Sequence, residues 1–194
     1  MDNSLNNLNL NTLDTVYFHD ENDIDFFMSN IFEIKEIFKN YKIKNLGFSI
    51  YSKKIFKDLN KNEHVNSIQV PVNIINKDFC NFKSNKKIVA RSIFLQGLLI
   101  NSNIKTKKTF LKDFNKKLVN LAIKKKIDLY SLCLNYVLQK KEINKIIIGF
   151  DNVSQLNQIL NFRKNYFNIN QKVKLIDSLV PSKYYNKIKD PRKW

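Results

Sequence analysis

His19 and Asp20 stand where chemistry would collect, at the end of the first strand. They close an apolar and β-branched run, Thr15-Val-Tyr-Phe18, which reads as a strand, and a helical pattern follows at once. In a fold that alternates strands with helices, chemistry collects where strands end. A second candidate lies near the other end. Gly149 follows the apolar run Lys145-Ile-Ile-Ile, and Asn152 can cap the next helix. A glycine there allows close backbone approach. The free N–H groups and positive dipole end of the helix suit a phosphate. Cys80 and Cys133 stand far apart with no CxxC or Cys/His spacing, so neither a disulfide nor a zinc framework is expected, and a reducing cytoplasm fits. The chain has only 3 glycines and no P-loop or GxGxxG turn.

The elements that must position these residues recur as strand then helix. A helix is expected over Asp23 to Tyr41, because Phe27, Ile31, Ile34, Phe38 and Tyr41 fall on one face. Lys44 to Ser49 reads as the next strand, then a helix from Ser52, an N-cap candidate, to Asn60. Ser67 to Val72 and Lys87 to Ser92 read as two more strands, with a loop and a helical turn between them. Helices are expected over Lys107 to Lys125 and over Leu129 to Gln139, the latter capped by Asp128. The fifth strand is Lys145 to Gly149; the helix capped by Asn152 follows, and a last helix spans about Asn170 to Leu179. Nearly continuous apolar strands alternating with helices argue for a parallel sheet covered by helices, in a single domain over residues 1–194.

The chain carries 34 Lys and Arg against 17 Asp and Glu, a net charge of +17. Lysine, isoleucine and asparagine are inflated together, which AT-rich codons explain, and the lysines are scattered. Nucleic acid is therefore not the expected partner. No apolar run approaches the roughly 20 residues of a membrane span, so no membrane association is expected.

Several segments resemble the aldo/keto reductase family, in the family's order. Ser4-Leu-Asn-Asn-Leu8 looks like the end of its third helix, before a strand of the form DxxxxH that matches Asp14 to His19. Leu46-Gly-Phe-Ser-Ile-Tyr51 resembles the turn after its fifth strand, and Ile68-Gln-Val-Pro-Val-Asn73 its sixth strand. Ala90-Arg-Ser-Ile-Phe-Leu-Gln-Gly97 is similar to a segment of a bacterial subgroup. Gly149-Phe-Asp-Asn-Val-Ser-Gln-Leu156 resembles the cofactor loop after the eighth strand, and the closing Asp190-Pro-Arg-Lys-Trp194 the subgroup's C-terminus. The resemblance implies a (β/α)₈ TIM-barrel type, here incomplete, with about five strand-helix units corresponding to strands 4–8 and the first three units lacking.

It further implies reduction of a carbonyl by hydride transfer from NADP(H) or NAD(H). The catalytic histidine role falls to His19. Nothing in the chain matches the family's catalytic tyrosine, lysine and aspartate. Ser49 and Gln69 match positions that bind the nicotinamide carboxamide, which needs both a donor and an acceptor. Arg91 stands where many members stack an aromatic on the nicotinamide; a planar guanidinium can stack or pair with phosphate. Gly149 and Asn152 match the phosphate loop, and Gln155 and Gln158 match positions that contact the adenosine. Each has a plainer alternative: a strand-end histidine with no role, a surface charge at Arg91, solvated helix residues at Gln155 and Gln158.

The expectation is thus the C-terminal portion of an NAD(P)H-dependent oxidoreductase, inactive alone or needing its N-terminal half to act on a small-molecule carbonyl. Its two open sheet edges are expected to bind that fragment or to drive self-association. The alternative is a non-catalytic half-barrel module that binds nucleotide or protein.

Overall fold

The computed structural model describes residues 1–165 and 168–194. Five strands make one parallel sheet in the order β1-β2-β3-β4-β5: β1 is Thr15–Phe18, β2 Asn45–Ser49, β3 Ser67–Pro71, β4 Lys87–Arg91 and β5 Lys145–Ile146. β1 and β5 are its end strands. The α/β class and the parallel sheet follow the sequence expectation. The chain falls into two compact units, one of Met1–Val70 and Lys83–Val89, the other of Pro71–Phe82 and Ala90–Trp194.

In the first unit, β1 pairs with β2 from Thr15↔Asn45 to Phe18↔Phe48, and β2 with β3 from Gly47↔Ser67 to Ser49↔Gln69. Its core is aromatic. Phe18 stacks on Phe48 with centroids 4.9 Å apart, and Phe27 meets Phe48 edge-on at 5.1 Å. Phe27 and Phe48 are fully buried, and each such ring contributes about 1.5–3 kcal/mol. Gly47 is required here. A Cβ would strike the Tyr17 ring, whose hydroxyl is hydrogen-bonded to Ser67 Oγ at 2.7 Å.

The long helix expected over Asp23 to Tyr41 is two helices, α2 (Ile24–Ser29) and α3 (Ile31–Asn40). Asn30 breaks it at φ −120°, with its Nδ2 donating to Phe26 O at 2.8 Å. An asparagine side chain that bonds the backbone locally competes with the helical ladder. The apolar stripe still faces inward at Phe27 and Ile34. Before β1 lies a short helix, α1 (Asp2–Leu8), and after β2 comes α4 (Lys53–Lys61), capped by Ser52 Oγ, which accepts from Ile55 N.

The second unit packs α5 (Thr109–Lys125), α6 (Leu129–Leu138), α7 (Val153–Leu160) and α8 (Ile169–Asp177). α6 is buried on most sides, and Asp128 caps it by accepting from Ser131 N. The C-terminal segment is tied to the loop after β3. Lys189 Nζ lies 2.7 Å from Asp78 Oδ2, Lys77 pairs with Asp177, and the Tyr185 hydroxyl donates to Ile75 O at 3.2 Å. Asp190 closes the tail. Burial alone would raise its carboxyl, but hydrogen bonds from Arg192 outweigh that and hold it below its usual range.

β5 is shorter than the expected Lys145 to Gly149. After Ile147 N donates to Ala90 O at 2.8 Å the ladder stops. At a sheet end the next residues gain neither a second ladder nor full cover, and Ile147 and Phe150 stay about half exposed. The apolar face of α7 is likewise uncovered: Val153 and Leu160 are each 71% exposed.

Candidate functional site

His19 follows the last residue of β1 and is exposed, with no hydrogen-bond partner among the described residues. The chain leaves β1 into a tight turn in which Asp20 Oδ1 accepts from Asn22 N at 2.9 Å. The next residue, Glu21, does something the sequence did not disclose. Its Oε2 accepts from the backbone N–H groups of Tyr51 and Ser52, each at 2.7 Å, and so pins the loop that leaves β2. Charge-assisted bonds of this kind are roughly twice as strong as neutral ones.

Ser49 and Gln69 are neighbours across β2 and β3. Ser49 Oγ donates to Gln69 Oε1 at 3.0 Å. A serine hydroxyl and a glutamine amide side by side carry the donor and acceptor functions that a carboxamide takes. Ser49 is buried and Gln69 half-buried, so the pair is held by the sheet register rather than by loops.

In the second unit, the segment after β4 folds in a way no periodicity predicts. Ser92, Leu95 and Gln96 all have positive φ, 57°, 50° and 53°, and Gly97 has φ 82°. Non-glycine residues there cost about 1–3 kcal/mol each and persist only where the surroundings hold them. Here the hold is visible. Asn73, fully buried, donates from Nδ2 to Ser92 O at 3.1 Å, while its Oδ1 accepts from Ile75 N and Asn76 N. Further along, Asn115 Nδ2 donates to Leu98 O at 3.0 Å and Asn101 O at 2.9 Å. Gly97 is obligatory, since a Cβ would meet the Asn101 amide at a left-handed φ.

This strained loop forms one wall of a cavity of about 510 Å³. Ser92 to Gly97 line it together with Ile147 to Gly149, Asp151, Gln155, Gln158 and Tyr130 of α6. Tyr130 stacks on Phe94 with centroids 5.0 Å apart. Its hydroxyl is buried with no hydrogen-bond partner among the described residues, a costly state. Asn152 caps α7 by accepting from Gln155 N at 2.9 Å, and Gln155 Oε1 accepts in return from Asp151 N at 2.8 Å. The first N–H groups of α7 have no intrahelical acceptor. A Cβ on Gly149 would meet nothing within 4 Å, so this glycine keeps space open beside the cavity. Arg91 touches the lining through Nη1, 3.3 Å from Ser92 Oγ.

The structure therefore brings Ser49 to Gln69, and Gly149 to Gln155 and Gln158, with Asn152 as the cap that fixes them. Sequence reasoning passed over Glu21, Asn73, Tyr130 and Asp151, all of which act through tertiary contacts rather than motif spacing. Among the described residues no group of His, Cys, Asp and Glu could hold a metal, and no helix is long and apolar enough to cross a membrane. Both cysteines are free and buried, and burial pushes both thiols up from their ordinary value.

A family model described as the aldo/keto reductase family matches residues 1–181. No curated protein matches the chain in sequence. The fold is similar to that of aldo-keto reductase AKR11C1 from Bacillus halodurans. The apo form gives a TM-score of 0.73 at 18% identity over 97% of this chain and 69% of that one, the holo form 0.69 at 17% over 97% and 68%. The glycerol dehydrogenase AKR11B4 from Gluconobacter oxydans gives 0.62 at 16% over 98% and 64%. With the family model spanning nearly its whole length, the chain belongs to the aldo/keto reductase family.

Proposed function

We propose that this chain forms the cofactor-binding portion of a nicotinamide-dependent carbonyl oxidoreductase. The observation that carries the reading is the cavity of the second unit. Gly149, Gln155 and Gln158, expected at a cofactor loop, line it together with a backbone segment strained into the left-handed region. The residues present fit a dinucleotide: open space at Gly149, free N–H groups at the start of α7, and the amides of Gln155 and Gln158 in the lining. A bound nicotinamide supplies the hydride that a carbonyl carbon accepts.

The chain's own residues then have separate tasks. The α7 N–H groups and the Arg91 guanidinium bind phosphate oxygens. Gln155 and Gln158 present amides to the adenosine. By the family resemblance, the carboxamide falls to the Ser49–Gln69 pair of the first unit and the carbonyl oxygen to a ring nitrogen of His19. The family's tyrosine acid, with its lysine and aspartate, has no match in this chain. Turnover is therefore assigned to the chain together with a segment carrying those three residues, with the end strands β1 and β5 as the surfaces that receive it. The exposed Val153 and Leu160 support that placement, because an apolar helix face is normally covered.

The second reading, a nucleotide-binding module without catalysis, is favoured by the same missing acid. One experiment separates them. Cofactor fluorescence is titrated with the chain alone, and carbonyl reduction is then assayed with and without a polypeptide carrying the first three strand-helix units of a family barrel. Binding alone followed by turnover on addition supports the oxidoreductase. Binding that never leads to turnover supports the module, and no binding in either format rejects both.

A further inference from the structure

We infer that the cavity of the second unit selects a nucleotide with a free 2′,3′-ribose diol, as in NAD(H), over one carrying a 2′-phosphate, and that Asp151 makes the selection. The inference rests on the proposed cofactor reading and adds to it the identity of the cofactor.

The charge of the lining is the starting point. Of its sixteen residues, Asp151 is the one carboxylate and none is lysine or arginine. With 34 Lys and Arg in 194 residues, sixteen positions drawn at random would hold about three. A second cavity in the same unit shows the ordinary outcome, with Lys105, Lys107, Lys112 and Lys116 in its wall. The cofactor cavity is thus free of cations in a chain crowded with them.

Asp151 is also held. Its N–H donates to Gln155 Oε1, and Gln155 N donates to the Asn152 cap, so the turn from 151 to 155 is locked by two reciprocal bonds. Asp151 thus enters the lining from the turn that opens α7, as do Gln155 and Gln158 from the helix itself. A carboxylate accepts hydrogen bonds from two vicinal hydroxyls, whereas a 2′-phosphate needs an arginine or lysine in that place. A phosphate against Asp151 would meet like charge with nothing in the lining to neutralise it. Arg91 does not fill that role. It is not among the lining residues and contacts the lining at Ser92 Oγ, at the end of β4.

The net charge of the chain makes the test sharp. A protein at +17 attracts the more negative NADPH non-specifically, so bulk electrostatics and the cavity point in opposite directions. NADH and NADPH are titrated against the 194-residue chain by calorimetry at about 0.15 M salt, where long-range attraction is largely screened. The expected result is a Kd for NADH at least ten times lower than for NADPH. Asp151→Asn should narrow that ratio several-fold, and Asp151→Arg should bring it to one or invert it. Equal or tighter NADPH binding by the unaltered chain overturns the inference and leaves the cofactor reading standing. Binding of neither cofactor by folded chain overturns the reading and the inference with it. A ratio that Asp151→Asn leaves unchanged overturns the assignment to Asp151.

Discussion

The cavity of about 820 Å³ along the first half of α5 is walled by Lys105, Lys107, Lys112 and Lys116, whereas that of about 510 Å³ opposite α7 holds Asp151 and no cation. The larger one is what the composition would predict anywhere on this surface. Its lysines are exposed, long and replaceable, and such groups contribute little to stability. The smaller one departs from the composition, and it is also where the backbone is strained, a hydroxyl is orphaned and a loop is locked by reciprocal bonds. Size and net charge are poor guides to a site in a lysine-rich chain. Departure from the background, paid in strain, is the better one.

That contrast can be broken most forcefully at Asn73. Asn73→Ala removes the donor to Ser92 O and the acceptor of two buried N–H groups. At about 1–3 kcal/mol per buried group left unpaired, a loss of roughly 3 kcal/mol in denaturant unfolding is expected, with nucleotide binding lost alongside. Gly97→Val comes next. A β-branched residue at φ 82° facing the Asn101 amide should cost about 2 kcal/mol and abolish cofactor binding, while the lysine-lined cavity keeps its shape by circular dichroism and amide shifts.

A smaller effect is expected with alkali. α6 carries Tyr130 into the cofactor cavity and, on its buried side, Cys133 and Tyr136. Burial raises both of the latter groups, so the fold favours their neutral forms. Their contribution is fully present below the ordinary thiol value of 9.0 and drains as pH climbs above it. Thermal melts should hold steady through neutrality and fall above that point, with Cys133 resisting thiol reagents in the folded chain. Smallest of all, Lys112→Gln with Lys116→Gln should shift stability by less than about 0.5 kcal/mol and NADH affinity less than twofold.

Most of this fold was legible from periodicity. The stripe through Phe27 and Ile34, the caps at Ser52, Asp128 and Asn152, and the parallel order of strands all follow from local rules. The failures are physical. Asn30 divides a helix because its side chain bonds the backbone, and β5 stops at Ile146 because the sheet ends there. Half of the candidate site was legible in the same sense. Gly149, Gln155 and Gln158 stand in a recognisable run, but Glu21 and Tyr130 matter through partners 30 or more residues away, Asn73 through Ser92 in the next strand's exit, and Asp151 through what surrounds it in the cavity. No spacing rule encodes that. The left-handed loop after β4 is hidden for the same reason: Ser, Leu and Gln are not residues that announce a positive φ.

Backbone amide shifts of labelled chain, followed during titration with NADH, decide whether the cation-free cavity is the nucleotide site. They should concentrate at Ser92 to Gly97 and at Gly149 to Gln158, with Ser102 to Asn120 unmoved. Shifts confined to the lysine-lined segment, with the strained loop silent, would place the nucleotide elsewhere.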